Sequence, residues 1–130
     1  MFKFEELEIW KESIKFTSDV YRITKTFPAE ERFGLTQQLR NAAISISLNI
    51  AEGSGRYHNR DFLRFLQISI GSLYEVVSGV FIAKNQEYIS DKDFKNTYLE
   101  AEKIAKMINA FISYLKRTDK RSKKQTTIDH

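Results

Sequence analysis

Apolar residues recur in steps of three and four from Leu7 to Leu115, and that period constrains this chain more than any other feature of it. Strands repeat every two residues, whereas a helix repeats every ~3.6. Leu7, Trp10, Ile14, Thr17, Tyr21 and Thr24 form the first stripe, widened by Phe16, Val20, Ile23 and Phe27; together they predict a helix from Glu5 to Thr26. The single proline, Pro28, ends it. Glu30 and Glu31 suit the positive end of a second helix, which runs to about Glu52 with Gly53 as its cap. Asn59 is placed to cap a third helix bearing Phe62, Leu66, Leu73, Val77 and Val80 and ending at Asn85. Ser90 and Asp93 have capping-box spacing, with Ile89 and Phe94 at the staple positions. Phe94, Tyr98, Ala101, Ala105, Ile108, Ile112 and Leu115 supply the buried face of a fourth helix. Long helices with short connections predict an all-α fold, an antiparallel up-down-up-down four-helix bundle over residues 1–117, followed by a disordered basic tail over 118–130.

The second helix has apolar residues on two sides. Leu35, Leu39, Ala43, Ile46 and Ile50 make an ordinary core stripe; Ile44 and Leu48 fall opposite, with Ala51 near them. The third helix repeats the pattern, because Ile68, Gly71, Ser72, Gly79 and Ile82 lie across from its core residues. Small residues there would let another helix approach closely, either inside the bundle or between subunits. Taken together, Ile44, Leu48, Ala51, Ile68, Gly71, Ser72 and Gly79 are the candidate surface for self-association.

Charge is unevenly placed. Residues 1–115 carry 15 Lys and Arg against 15 Asp and Glu, so the net charge of +4 resides in residues 116–130. Lys116, Arg117, Lys120, Arg121, Lys123 and Lys124 make that segment a candidate for phosphate contacts, and a solubilising role would use the same residues. Arg56, Arg60 and Arg64 recur every four residues beside Tyr57 and could extend such a surface; salt bridges to Glu52, Asp61 or Glu75 compete for them. The acidic start, Met1 to Glu6, is unlike a secretory signal, and no uncharged run approaches the ~20 residues of a membrane span. With no cysteine in the chain, the expected compartment is the cytoplasm.

Catalytic patterns are sparse. Bundle di-iron sites need Glu-x-x-His pairs, and none occurs; His58 and His130 have no partner at ligand spacing. Gly53-Ser54-Gly55-Arg56 could expose amides to a phosphate, but the Gly-Lys-Ser/Thr of a P-loop and its preceding strand are missing, and a helix C-cap accounts for the glycines. The residues thus indicate no catalytic group, no metal and no cofactor.

Several pieces form a recognisable set: Leu7-Glu8-Ile9-Trp10; Tyr21, Thr24, Phe27-Pro28, Glu31 and Gly34-Leu35; Gln38-Leu39-Arg40, Ala42-Ala43, Ser45-Ile46 and Asn49 to Gly53 with Gly55-Arg56; then Phe62, Phe65-Leu66, Gly71-Ser72 and Glu75. In these the chain resembles the four-helix-bundle proteins encoded in intervening sequences of bacterial 23S ribosomal RNA genes. The family pattern often has a second basic residue after the first arginine, where this chain has Asn41. The resemblance implies a homopentamer, similar to the accessory variability proteins of diversity-generating retroelements, which act beside a reverse transcriptase and its RNA. The expected function is therefore a non-enzymatic homo-oligomeric bundle associated with RNA or a ribonucleoprotein. The alternative is a scaffold for a protein partner such as a reverse transcriptase, without RNA affinity of its own.

Overall fold

A computed structural model describes the backbone of residues 1–128 and the side chains of residues 1–119. Four helices, α1 (Glu8–Thr24), α2 (Leu35–Ser54), α3 (Asn59–Asn85) and α4 (Asp91–Ile128), follow a short 3-10 turn at Lys3–Glu6; another 3-10 turn, Ala29–Glu31, separates α1 from α2. Each helix packs on its two neighbours in the order α1-α2-α3-α4-α1, with α2 and α3 sharing the most extensive seam. The fold is the antiparallel four-helix bundle that the periodicity predicts.

The core stripe of α1 is rotated from its expected centre. Ile9, Ser13, Phe16, Val20 and Ile23 are buried, Thr24 marks the end of the stripe, and Ile14 is exposed. Phe16 and Val20 therefore lie at the middle of the face, and Leu7 and Trp10 on its shoulder. After Phe27 and Pro28 the chain does not re-enter an α-helix at once: Gly34, at φ −110° and ψ −113°, lies outside the helical range, and α2 begins one residue later. Arg40 then ties α2 to α1. Its Nε donates to Thr24 Oγ1 at 2.9 Å, and its guanidinium lies 4.6 Å from the centre of the Tyr21 ring.

Glycine closes the α2–α3 seam from both sides. A Cβ on Gly53 would come within 2.7 Å of the Phe62 ring and 2.8 Å of Phe65 Cβ, and one on Gly79 would strike Leu39. Gly53 is thus a residue of helix α2 that allows close approach, and the helix ends two residues later than expected, with Gly55 following Ser54. Between the glycines, Ser69 Oγ donates to Ile46 O at 2.9 Å and Ser72 Oγ to Ser45 Oγ at 2.8 Å. These bonds satisfy hydroxyls that would otherwise be costly to bury.

Asn59 does not cap α3. His58 occupies the cap position without a side-chain bond, and Asn59 Nδ2 instead donates to Leu115 O at 3.4 Å, joining the start of α3 to α4. The Ser90 cap does form, since Asp93 N donates to Ser90 Oγ at 3.1 Å. Over the segment expected as a basic tail, residues 118–130, the backbone of α4 continues as far as Ile128. No glycine or proline follows Gly79, and extending a packed helix fixes one residue per added hydrogen bond, without the cost of a new nucleus.

By length and composition alone, α3 could cross a membrane, with a mean hydropathy of 1.5 over its most apolar window. In this fold its apolar residues Leu66, Leu73, Val76 and Val80 are buried in the bundle, and Glu75 interrupts the run.

Candidate nucleic-acid interface

The bond from Asn59 to Leu115 fixes which ends of the helices meet. The α2–α3 turn, the start of α3 and the point where α4 leaves the core share one pole of the bundle. Arg56, Arg60, Arg64, Lys116 and Arg117 consequently belong to that pole, and all five are exposed. They come from sequence positions up to 61 residues apart, between Arg56 and Arg117. Lys120, Arg121, Lys123 and Lys124 follow on the α4 backbone, but their side chains lie outside the described residues, as does His130.

The three arginines do not form one helical row, because Arg56 precedes α3. Arg56 Nη2 donates to Glu52 Oε1 at 3.0 Å, so one of the competing salt bridges does form. The same guanidinium lies 4.9 Å from the Phe65 ring centre, and Arg64 reaches that ring at 5.3 Å. Phe65 thereby gathers two cations despite their different backbone settings. Arg60 borders a neighbouring concavity with His58, Asn59, Thr118 and Asp119.

The glycine segment is not a phosphate cradle. Ser54 Oγ donates to Ala51 O at 2.7 Å, and the amides of Gly55 and Arg56 donate to Glu52 O and Gly53 O. Its polar groups finish α2 and are spoken for. Among the described residues, no three His, Asp or Glu side chains are grouped to share a metal ion.

The candidate self-association residues divide. Leu48 and Ile68 are 60% and 45% exposed, Gly71 is open with no neighbouring atom within 4 Å of where a Cβ would stand, and Ile44 and Ala51 are half-buried. Ser72 and Gly79 are buried in the α2–α3 seam and do not belong to the outer surface. Their small size serves packing within the bundle, which the helical spacing alone could not distinguish from packing between subunits. An unforeseen surface lies on the other side of α3. Tyr74, Val77, Phe81 and Tyr98 line a groove of about 560 Å³ between α3 and α4, with the Phe81 and Tyr98 rings edge to face at 6.1 Å. Tyr98, read from spacing as core, is at the lip of this groove.

On the α1–α4 seam, burial raises the pKa of Glu100, helped by a hydrogen bond and the charge of Asp19 and by the charge of Glu12, with Lys103 opposing. Lys103 also pairs with Glu12 at 3.5 Å, and Arg22 with Asp93 at 3.5 Å. Charged groups thus line the outer edge of this seam, whereas small residues and hydroxyls occupy the α2–α3 seam.

The architecture defines a compact antiparallel four-helix protein with a basic pole and no visible catalytic constellation among its described side chains. The chain belongs to the 23S rRNA-intervening sequence protein family, whose model matches residues 5–110. A solved protein of unknown function from the S23 ribosomal protein family of Bacteroides thetaiotaomicron has the same fold, with a TM-score of 0.74 and 20% identity over 80% of this chain and 97% of that one. Among curated proteins, no sequence match was found.

Proposed function

We propose that this protein is a non-enzymatic, homo-oligomeric helical bundle that associates with RNA or a ribonucleoprotein through its basic pole. The observation that carries this reading is the meeting of Arg56, Arg60, Arg64, Lys116 and Arg117 at one end of the bundle, where α4 goes on into its further cations. Phosphate is the ligand class suited to several exposed cations drawn from separate segments. Affinity at one subunit would be modest, and assembly would multiply it through effective concentration. Leu48, Ile68 and Gly71 are the outer residues available for that assembly, which by family resemblance is a pentamer.

Binding to a structured RNA should fall steeply with salt, and Arg60→Gln with Lys116→Gln should lower the salt slope by about 1 for each phosphate no longer neutralised. Leu48→Asp with Ile68→Asp should reduce the mass seen by light scattering while helix content is kept. A protein-scaffold reading, with a partner such as a reverse transcriptase, is favoured by the aromatic groove between α3 and α4. It replaces the RNA reading if no RNA binds even at low salt.

A further inference from the structure

We propose that the basic pole holds a stacking site for unpaired nucleotides, centred on Tyr57, so that this protein prefers single-stranded RNA over duplex. The inference rests on the RNA reading and assigns chemistry to the same pole. Tyr57 is fully exposed in the α2–α3 turn, and its ring borders two concavities. One, of about 440 Å³, lies under the N-terminal 3-10 turn and is lined by Phe2, Lys3, Phe4 and Arg56. The other, of about 500 Å³, holds Arg60, His58 and Asn59.

The first concavity contains an aromatic column. Phe4 is fixed against Trp10 with ring centres 4.9 Å apart, and Phe2 stacks on Phe4 at 5.8 Å with planes only 13° apart. Glu5 accepts a 2.7 Å hydrogen bond from the Phe2 amide, which holds the turn that presents the column. Phe2 is 72% exposed at the outer end. Large rings held open to water in this way gain most from a planar, apolar-faced ligand, and a nucleobase is such a ligand.

Charge selects among planar ligands. Lys3 and Arg56 stand beside the rings, Arg60 lies on the far side of Tyr57, and the described cations of the α4 exit share the pole. Glu52 faces Arg56, Glu5 and Glu6 belong to the turn itself, and Asp119 lines the second concavity beside Arg60. The Arg56–Glu52 pair is exposed, so it contributes little and can yield to a phosphate. Aromatic faces interleaved with cations fit a strand that offers bases and phosphates in alternation; a duplex keeps its bases stacked on each other and offers phosphates alone.

The test is fluorescence anisotropy of the full chain with three RNAs of equal length: an oligouridylate, an abasic strand and a duplex. The oligouridylate should bind about tenfold tighter than the abasic strand. Tyr57→Leu should erase that difference without changing the salt slope, and Tyr57→Phe should restore it. Equal affinity for oligouridylate and abasic strand, or an unaffected Tyr57→Leu, overturns the stacking site while leaving the basic-pole reading intact. Absence of salt-sensitive binding to all three RNAs overturns both. A fall in light-scattering mass with Tyr57→Leu would also overturn the site, by assigning the ring to a subunit contact.

Discussion

Helix α3 contributes to two seams that are built in opposite ways. Toward α2 it presents Ser69, Ser72 and Gly79, and the backbones approach until hydroxyls reach across and leucine fills the space a Cβ would occupy. Toward α4 it presents Tyr74, Val77 and Phe81 along a surface groove of about 560 Å³, while Phe81 packs edge to face on Phe94 and Phe62 on Phe111 across the same seam. The difference teaches that apolar content does not decide closure. Small side chains let backbones approach closely, whereas large rings meet at their edges and leave part of their surface exposed. The groove toward α4 is surface that a partner could use.

The largest effect expected from this comparison is at Gly53. Gly53→Val forces a side chain into Phe62 and Phe65 Cβ, and urea unfolding should register a loss of about 3 kcal/mol. Unchanged stability would mean that the closed seam has slack. Gly71 sharpens the contrast, being a glycine of α3 like Gly79 but with open space around it. Gly71→Ala should raise stability by about 0.5–1 kcal/mol through helix propensity alone. If assembly is lost instead, another subunit approaches that position. Tyr74→Ala, at the open groove, should move stability by less than about 0.5 kcal/mol, because its ring is mostly solvated.

The smallest effect belongs to the charged outer edge of the α1–α4 seam. Burial and the neighbouring Asp19 and Glu12 keep the Glu100 proton bound to higher pH in the folded chain than in the unfolded one. The resulting stability is fully present below the ordinary value of 4.5 and is lost as pH rises through the folded value. Glu100→Gln should therefore be the more stable protein at neutral pH, by about 0.3 kcal/mol once solvent screening is counted. The gap should close as pH falls below 4.5, as thermal melts across the acid range can check.

Periodicity was enough to find four helices because each buries one stripe, and a stripe leaves its spacing in the sequence whatever it packs against. Boundaries followed where proline or a polar run intervened, at Pro28 and between Asn85 and Ser90. They failed where two residues could serve the same end: Gly53 reads as a cap and serves as a packing gap, and Asn59 reads as a cap and reaches Leu115. Spacing also places a residue on a face without saying what lies opposite. Hence Ser72 and Gly79 looked equally suited to a subunit contact and to the interior, and Tyr98 looked like core.

The basic pole was half legible. Its cations stand out by type and position, and the pairing of Arg56 with Glu52 is visible in their spacing of four. That Phe65 gathers Arg56 and Arg64, and that Phe2 and Phe4 share a concavity with Tyr57, depends on how the α2–α3 turn folds beside the N-terminus. No local pattern links residue 2 to residue 57. The sequence by itself determined the helices, their order and the surplus of charge at the end of the chain, because each is set by neighbours within a few turns. Only the tertiary structure decided which glycines close a seam, which rings stay open and which cations meet, because those outcomes depend on distances between segments that the helical period does not encode.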